Sequence, residues 1–146
     1  NQFQAKFNQL KGQGYHISTR SNVKKGGVVY TTALFEKSNV GTWISKPNKT
    51  AAQATQLMLQ YRNQGLTLKH MDVPNYNKRY NLIFHKKPTS NGWYAKNNLT
   101  KAQLLNAIAQ AKGNGYKTTI ISGFDIPGLI NGNEVMKIRY AVTFVK

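Results

Sequence analysis

Ser21-Asn-Val-Lys24 carries the Ser-x-x-Lys lettering of β-lactamase-like hydrolases, in which a lysine assists a serine nucleophile, and Tyr61-Arg-Asn63 carries a Tyr-x-Asn companion. Both patterns are short and arise readily in a chain rich in Lys and Asn. Tyr61 also falls on an apolar stripe of helical spacing, where a packing role is the simpler reading. The three histidines, His16, His70 and His85, could bind a metal or act as bases, but their spacings match no standard ligand pattern. They read as strand residues. The four acids, Glu36, Asp72, Asp125 and Glu134, are too dispersed for paired-carboxylate chemistry. Asp72 and Asp125 read as near-equivalent residues capping backbone groups before two turns. No catalytic residue, metal ligand or cofactor is assigned.

Charge offers the other chemistry. The 146 residues hold 21 Lys and Arg against 4 acids, a net charge of +17. Such a field draws polyanions. Basic residues number 6, 8 and 7 in the segments 1–37, 38–87 and 88–146, so no detachable basic tail carries them. They group in Lys24 and Lys25, in Lys78 and Arg79 beside Tyr76, and in Lys86 and Lys87. Equivalent turns on one face would place these residues on a basic rim, with Tyr76 available to stack on a base or a sugar. Only Arg20, Arg62, Arg79 and Arg139 are arginines, the other 17 cations being lysines. Lysine acts as a point charge, so the surface should favour charge density over sequence and depend steeply on salt.

The elements that must position these residues recur along the chain. Gly14, Gly65 and Gly115 are separated by 51 and 50 residues, and Trp43 and Trp93 by 50, as are Thr50 and Thr100. Thr50-Ala-Ala-Gln53 and Thr100-Lys-Ala-Gln103 fit capping boxes that open helices. The helices continue through Leu57, Met58 and Tyr61, and through Leu104, Ile108 and Ala111, with Phe3, Phe7 and Leu10 in the first copy. The three glycines sit where a left-handed C-cap belongs. A hairpin follows in each copy, through Lys24-Lys-Gly-Gly27, through 75–79, or through a longer turn from Pro127 to Asn133. In its second strand Tyr30, Thr32 and Leu34 should share the face of Tyr80, Leu82 and Phe84 and of Tyr140, Val142 and Phe144. Trp43 and Trp93 should wedge between units. Asn48-Lys-Thr50 and Asn98-Leu-Thr100 have glycosylation lettering, but capping already explains both threonines.

The expected fold is α+β, a single domain of three helix-strand-strand repeats over 1–37, 38–87 and 88–146. They should pack side by side around a common core, in an arrangement that suits a closed or nearly closed array. With no cysteine, stability must come from packing, and no apolar run approaches a membrane span. The start at Asn1-Gln2-Phe3 accords with a removed signal peptide or with a chain boundary.

The stretch 93–103, Gly115-Tyr116 and Tyr140-Ala-Val-Thr-Phe144 resemble a bacterial tandem repeat found ahead of β-lactamase-like serine hydrolases, including fungal polyglycine hydrolases. The resemblance covers nearly the whole chain and implies a secreted, non-catalytic module. Together these readings point to a secreted binding protein for acidic extracellular polymers: DNA, anionic cell-wall or capsule glycan, lipopolysaccharide or sulfated glycan. The alternatives are a self-assembling matrix protein, which would form homo-oligomers, and an accessory or targeting domain of a secreted peptidase system.

Overall fold

A computed structural model describes residues 2–86 and 92–146. The chain divides into two compact units, 1–89 and 90–146. The first contains helix α1 (Gln2–Gly12), strands β1 (His16–Lys25), β2 (Val28–Glu36) and β3 (Trp43–Lys49), helix α2 (Ala51–Asn63), and strands β4 (Thr67–Asp72) and β5 (Tyr80–His85). The second contains β6 (Trp93–Leu99), α3 (Lys101–Gly113), β7 (Lys117–Ile130) and β8 (Asn133–Val145). Three repeats of α+β type are thus present.

The helix boundaries form as their sequences dictate. Thr50 and Thr100 accept from the backbone N–H of Gln53 and Gln103, whose side chains return a bond to the threonine N–H. Each helix ends in a Schellman turn with a left-handed glycine. Tyr15 donates to Leu10, Leu66 to Tyr61 and Tyr116 to Ala111, at 3.0, 2.9 and 2.9 Å.

The Trp lead-ins are strands, an element absent from the helix-strand-strand reading. β3 and β6 each pair with the second hairpin strand, giving sheets ordered β3-β5-β4 and β6-β8-β7, whereas β1 and β2 form a two-stranded sheet. Pro47 hid β3, since proline lacks a donor and is tolerated only on an edge strand. Asn48 and Asn98 then take left-handed backbones with φ of 57° and 56°, where the register slips before the threonine cap. Both residues of each glycosylation-like pair therefore have structural roles.

Strand pairing also corrects the expected face of β2. Phe35 lies opposite Ile17 as Phe84 lies opposite Leu68 and Phe144 opposite Thr118, each beside a bulge in the first hairpin strand. Thr31, Ala33 and Phe35 are therefore the equivalents of Tyr80, Leu82 and Phe84. Tyr30 and Leu34 point the other way and are 54% and 53% exposed. Matching Tyr30 to Tyr80 slips the register by one residue, which moves every side chain to the opposite face.

The long turn expected at Pro127–Asn133 is strand instead. The β7–β8 ladder continues to Ile130 opposite Asn133, closed by Asn131 and Gly132 with φ of 50° and 80°. Gly26 and Gly27 make the same two-residue turn, the type whose twist matches a hairpin. Asp125 accordingly sits within β7 opposite Ile138, and the equivalent of Asp72 is Ser122.

In the first unit Met58 and Tyr61 of α2 are buried, with Tyr61 4.8 Å from Phe84 at the centre of the sheet. Phe84, Leu82 and Leu68 are fully buried, each worth about 1.5–3 kcal/mol. Phe7 of α1 meets both Phe35 and Trp43, at 6.1 and 5.9 Å. Trp43 thus joins the second repeat to the first helix. In the second unit Leu104, Ala107 and Ala111 of α3 pack on Val142 and Phe144. Beyond Phe124 the β7–β8 arm exposes Leu129, Ile130, Met136 and Ile138.

Candidate functional site

Within the first unit, β1 of repeat one runs beside β4 of repeat two, and side chains make the joint. The His85 Nε2 lies 3.5 Å from the Ile17 carbonyl, and the His70 Nε2 lies 2.7 Å from the Arg20 carbonyl. A carbonyl can only accept, so both rings carry their proton on Nε2. Farther along, the Asn22 backbone N–H donates to the Asp72 carboxylate. These groups occupy the side of β1 that β2 leaves free. Satisfying a strand edge with side chains keeps it from recruiting a foreign strand. Two histidines and an aspartate, the types best suited to chemistry, are committed to holding two repeats together.

Burial raises the Asp72 pKa, against the pull of Asn81, whose Nδ2 lies 3.4 Å from Oδ2, and of His70. Burial lowers that of His85, which touches His16. His16 in turn lies 3.7 Å from Glu36.

Past this joint the two repeats open into a cleft of about 770 Å³. Arg20, Asn22 and Tyr30 line it from repeat one, Asn48, Tyr76 and Asn77 from repeat two. The Arg20 guanidinium stacks over Phe3 at 4.6 Å. Burial lowers its pKa, Tyr76 and Asp72 oppose that, and its Nε has no hydrogen-bond partner. The Asn22 Oδ1 is likewise buried without a partner. Tyr76 is 37% exposed. Among the described residues, its walls contain no acid.

The residues expected from sequence fall in three places. Lys24 and Lys25 flank the β1–β2 turn and are exposed. Tyr76, Lys78 and Arg79 lie in the β4–β5 loop. Lys78 is half-buried with φ of 53° and reaches Asn75 Oδ1 at 3.4 Å, while the Arg79 N–H donates to Asn77 Oδ1 at 3.0 Å. Lys86 stands past the opposite end of β5, seven residues and roughly 23 Å from Arg79 at about 3.3 Å per residue. By register it matches Lys37 and Lys146, which sit over Tyr15 and Tyr116 at 5.7 and 5.8 Å, so its position is that of a strand-end lysine. Lys87 lies outside the described residues. The loop and turn residues thus share an end of the first unit, and Lys86 does not join them.

Ser21 and Lys24 stand three apart on extended β1, so they face opposite sides of the sheet. A Ser-x-x-Lys pair needs a helical turn to bring its groups together. Tyr61 is buried against Phe84. Arg20, Asn22 and Tyr30 were not legible as site residues. Their signal is the 50-residue offset that sets Arg20 beside His70 and Asn22 beside Asp72, visible only when the repeats are laid side by side.

The repeat boundaries decide the family. A model of polyglycine hydrolase-like structural repeats matches residues 1–38, 41–87 and 90–146. The chain belongs to this repeat family. The curated proteins give no significant match to it. The polyglycine hydrolase-like repeat is by description structural, and its shared positions here are the caps, strands and bulges. The cleft residues lie between those positions. No helix among the described residues is long and apolar enough to cross a membrane.

Proposed function

We propose that this polyglycine hydrolase-like repeat protein is a secreted, non-catalytic module that holds acidic extracellular polymers on a lysine-rich surface. One observation carries the reading. With 21 cations and 4 acids, at least 17 cations lack an acidic partner whatever pairs form. Two of the acids have structural partners besides, Glu36 beside His16 and Asp72 on the edge of β1. A surface built only for solubility mixes both signs of charge. Lysines spread over three repeats suit a long, charge-dense chain. Lys24, Lys25, Lys78 and Arg79 supply the contacts nearest the cleft, with Tyr76 as a stacking platform.

The test is binding of labelled heparin, duplex DNA and anionic cell-wall polysaccharide to the wild type and to Lys78→Glu/Arg79→Glu. Binding weakened by the double reversal supports the reading. Failure to bind any of the three sinks it.

The exposed Leu129, Ile130, Met136 and Ile138 favour a second reading, a matrix protein that assembles through its hairpin arms. Light scattering that shows a strict monomer at high concentration removes it.

A further inference from the structure

We propose that the cleft between the first two repeats binds a uronic-acid unit of an acidic glycan, with Arg20 taking the carboxylate and Tyr76 flanking the sugar. This rests on the polyanion-binding reading and narrows its ligand class.

The lining argues for it by its chemistry. Among the described residues Arg20 is its sole cation, accompanied by amides and the partly exposed Tyr76, and no acid lines the space. Amides both donate and accept, which suits the hydroxyl groups of a sugar. Tyrosine offers a flat apolar face with a polar tip. One arginine suits one negative charge per sugar unit, whereas a phosphodiester or heavily sulfated chain presents more charge than this cleft can answer. A planar carboxylate also matches the fork of a guanidinium.

Arg20 is held ready for such a partner. Phe3 supports one face of its guanidinium. Its acidic neighbour Asp72 is already engaged by Asn81 Nδ2 and by the Asn22 N–H. The volume of about 770 Å³ lies within the range of roughly 300–1,000 Å³ usual for ligand sites. Lys78 and Arg79 follow Asn77 directly out of the cleft, so a longer chain leaving it meets cations.

The experiment is calorimetric titration of the whole chain with an oligogalacturonate, its methyl-esterified counterpart, a heparin oligosaccharide and a short DNA duplex. Wild type is compared with Arg20→Gln, Tyr76→Ala and Lys78→Glu/Arg79→Glu. We expect oligogalacturonate binding that falls about tenfold or more on esterification and in Arg20→Gln, as loss of a charged hydrogen bond implies. Tyr76→Ala should cost about threefold or more, as loss of an aromatic face implies. Tyr76 lies in an exposed loop, so this variant and the esterified ligand keep the test sound if Arg20→Gln does not fold. Oligogalacturonate binding that ignores esterification and Tyr76→Ala overturns the cleft assignment, while sensitivity to Lys78→Glu/Arg79→Glu would leave the broader reading standing. The DNA duplex showing the same loss in Tyr76→Ala also overturns the uronate assignment. No binding by any polyanion overturns both.

Discussion

The rings of His16 and His85 meet edge to face at 4.9 Å, one from each of the first two repeats. They are 2% and 5% exposed, and neither His16 nitrogen has a hydrogen-bond partner. Glu36, Lys69 and the Ile17 carbonyl complete the charged and polar groups around the pair. Adding a proton to His85 would place a second cation near Lys69 in a buried joint.

The first unit should therefore lose stability as pH falls below about 6.5, the ordinary histidine value. Burial depresses the His85 pKa in the fold, so the unfolded chain takes up a proton that the folded one refuses. The contribution is intact above 6.5 and declines as pH falls toward the depressed folded value. Urea midpoints at pH 7.5 and 5.5 measure this. His85→Val, which installs the residue found at the equivalent Val145, should flatten the difference.

Asp72→Ala should destabilise by about 1–3 kcal/mol, because the Asn22 N–H and Asn81 Nδ2 lose their acceptor. Asp72→Asn keeps an acceptor and removes the buried charge, so it should be nearly neutral. Chemical denaturation of both variants checks the ordering. Equal losses would mean that the carboxylate charge, and not its acceptor role, holds the joint.

The register of β2 has its own test. Leu34→Ala should change stability by no more than about 0.5 kcal/mol, as exposed positions do. Phe35→Ala should cost about 2 kcal/mol, since its ring packs on Phe7 but is only half-buried. The reverse pattern would restore the face first expected from Tyr30.

Thr100→Ala should cost about 1 kcal/mol through loss of the N-cap. Thermal melts of that variant and of Thr50→Ala should show similar losses, because the two boxes have the same bonds.

What the sequence made legible was local. The capping boxes each rest on a few adjacent residues, and the 50-residue spacing of the cap glycines and of Trp43 and Trp93 repeats them, which together gave three repeats of helix and hairpin. Register was not legible in β2, because Tyr30 imitates Tyr80 although Thr31 holds that place. The lead-in strands were hidden by Pro47 and by left-handed Asn48 and Asn98. Asn131-Gly132 is a strong hairpin signal that Pro127 and Gly128 obscured by suggesting a turn too early. Within the candidate site, Tyr76, Lys78 and Arg79 stood out by composition. Arg20 and Asn22 did not, since their role arises from contact with residues 50 positions away. The histidines and Asp72 looked like spare chemistry until the neighbouring strand showed what they bond.

The most direct test of polyanion binding is the slope of log K against log salt for a heparin fragment between 50 mM and 0.5 M salt. Electrostatic capture by several lysines releases several counterions, so affinity should fall by about a thousandfold or more over that range. Lys24→Glu/Lys25→Glu/Lys78→Glu/Arg79→Glu should flatten the slope. Binding whose strength is unchanged across the series would contradict the proposal that these cations hold the polymer.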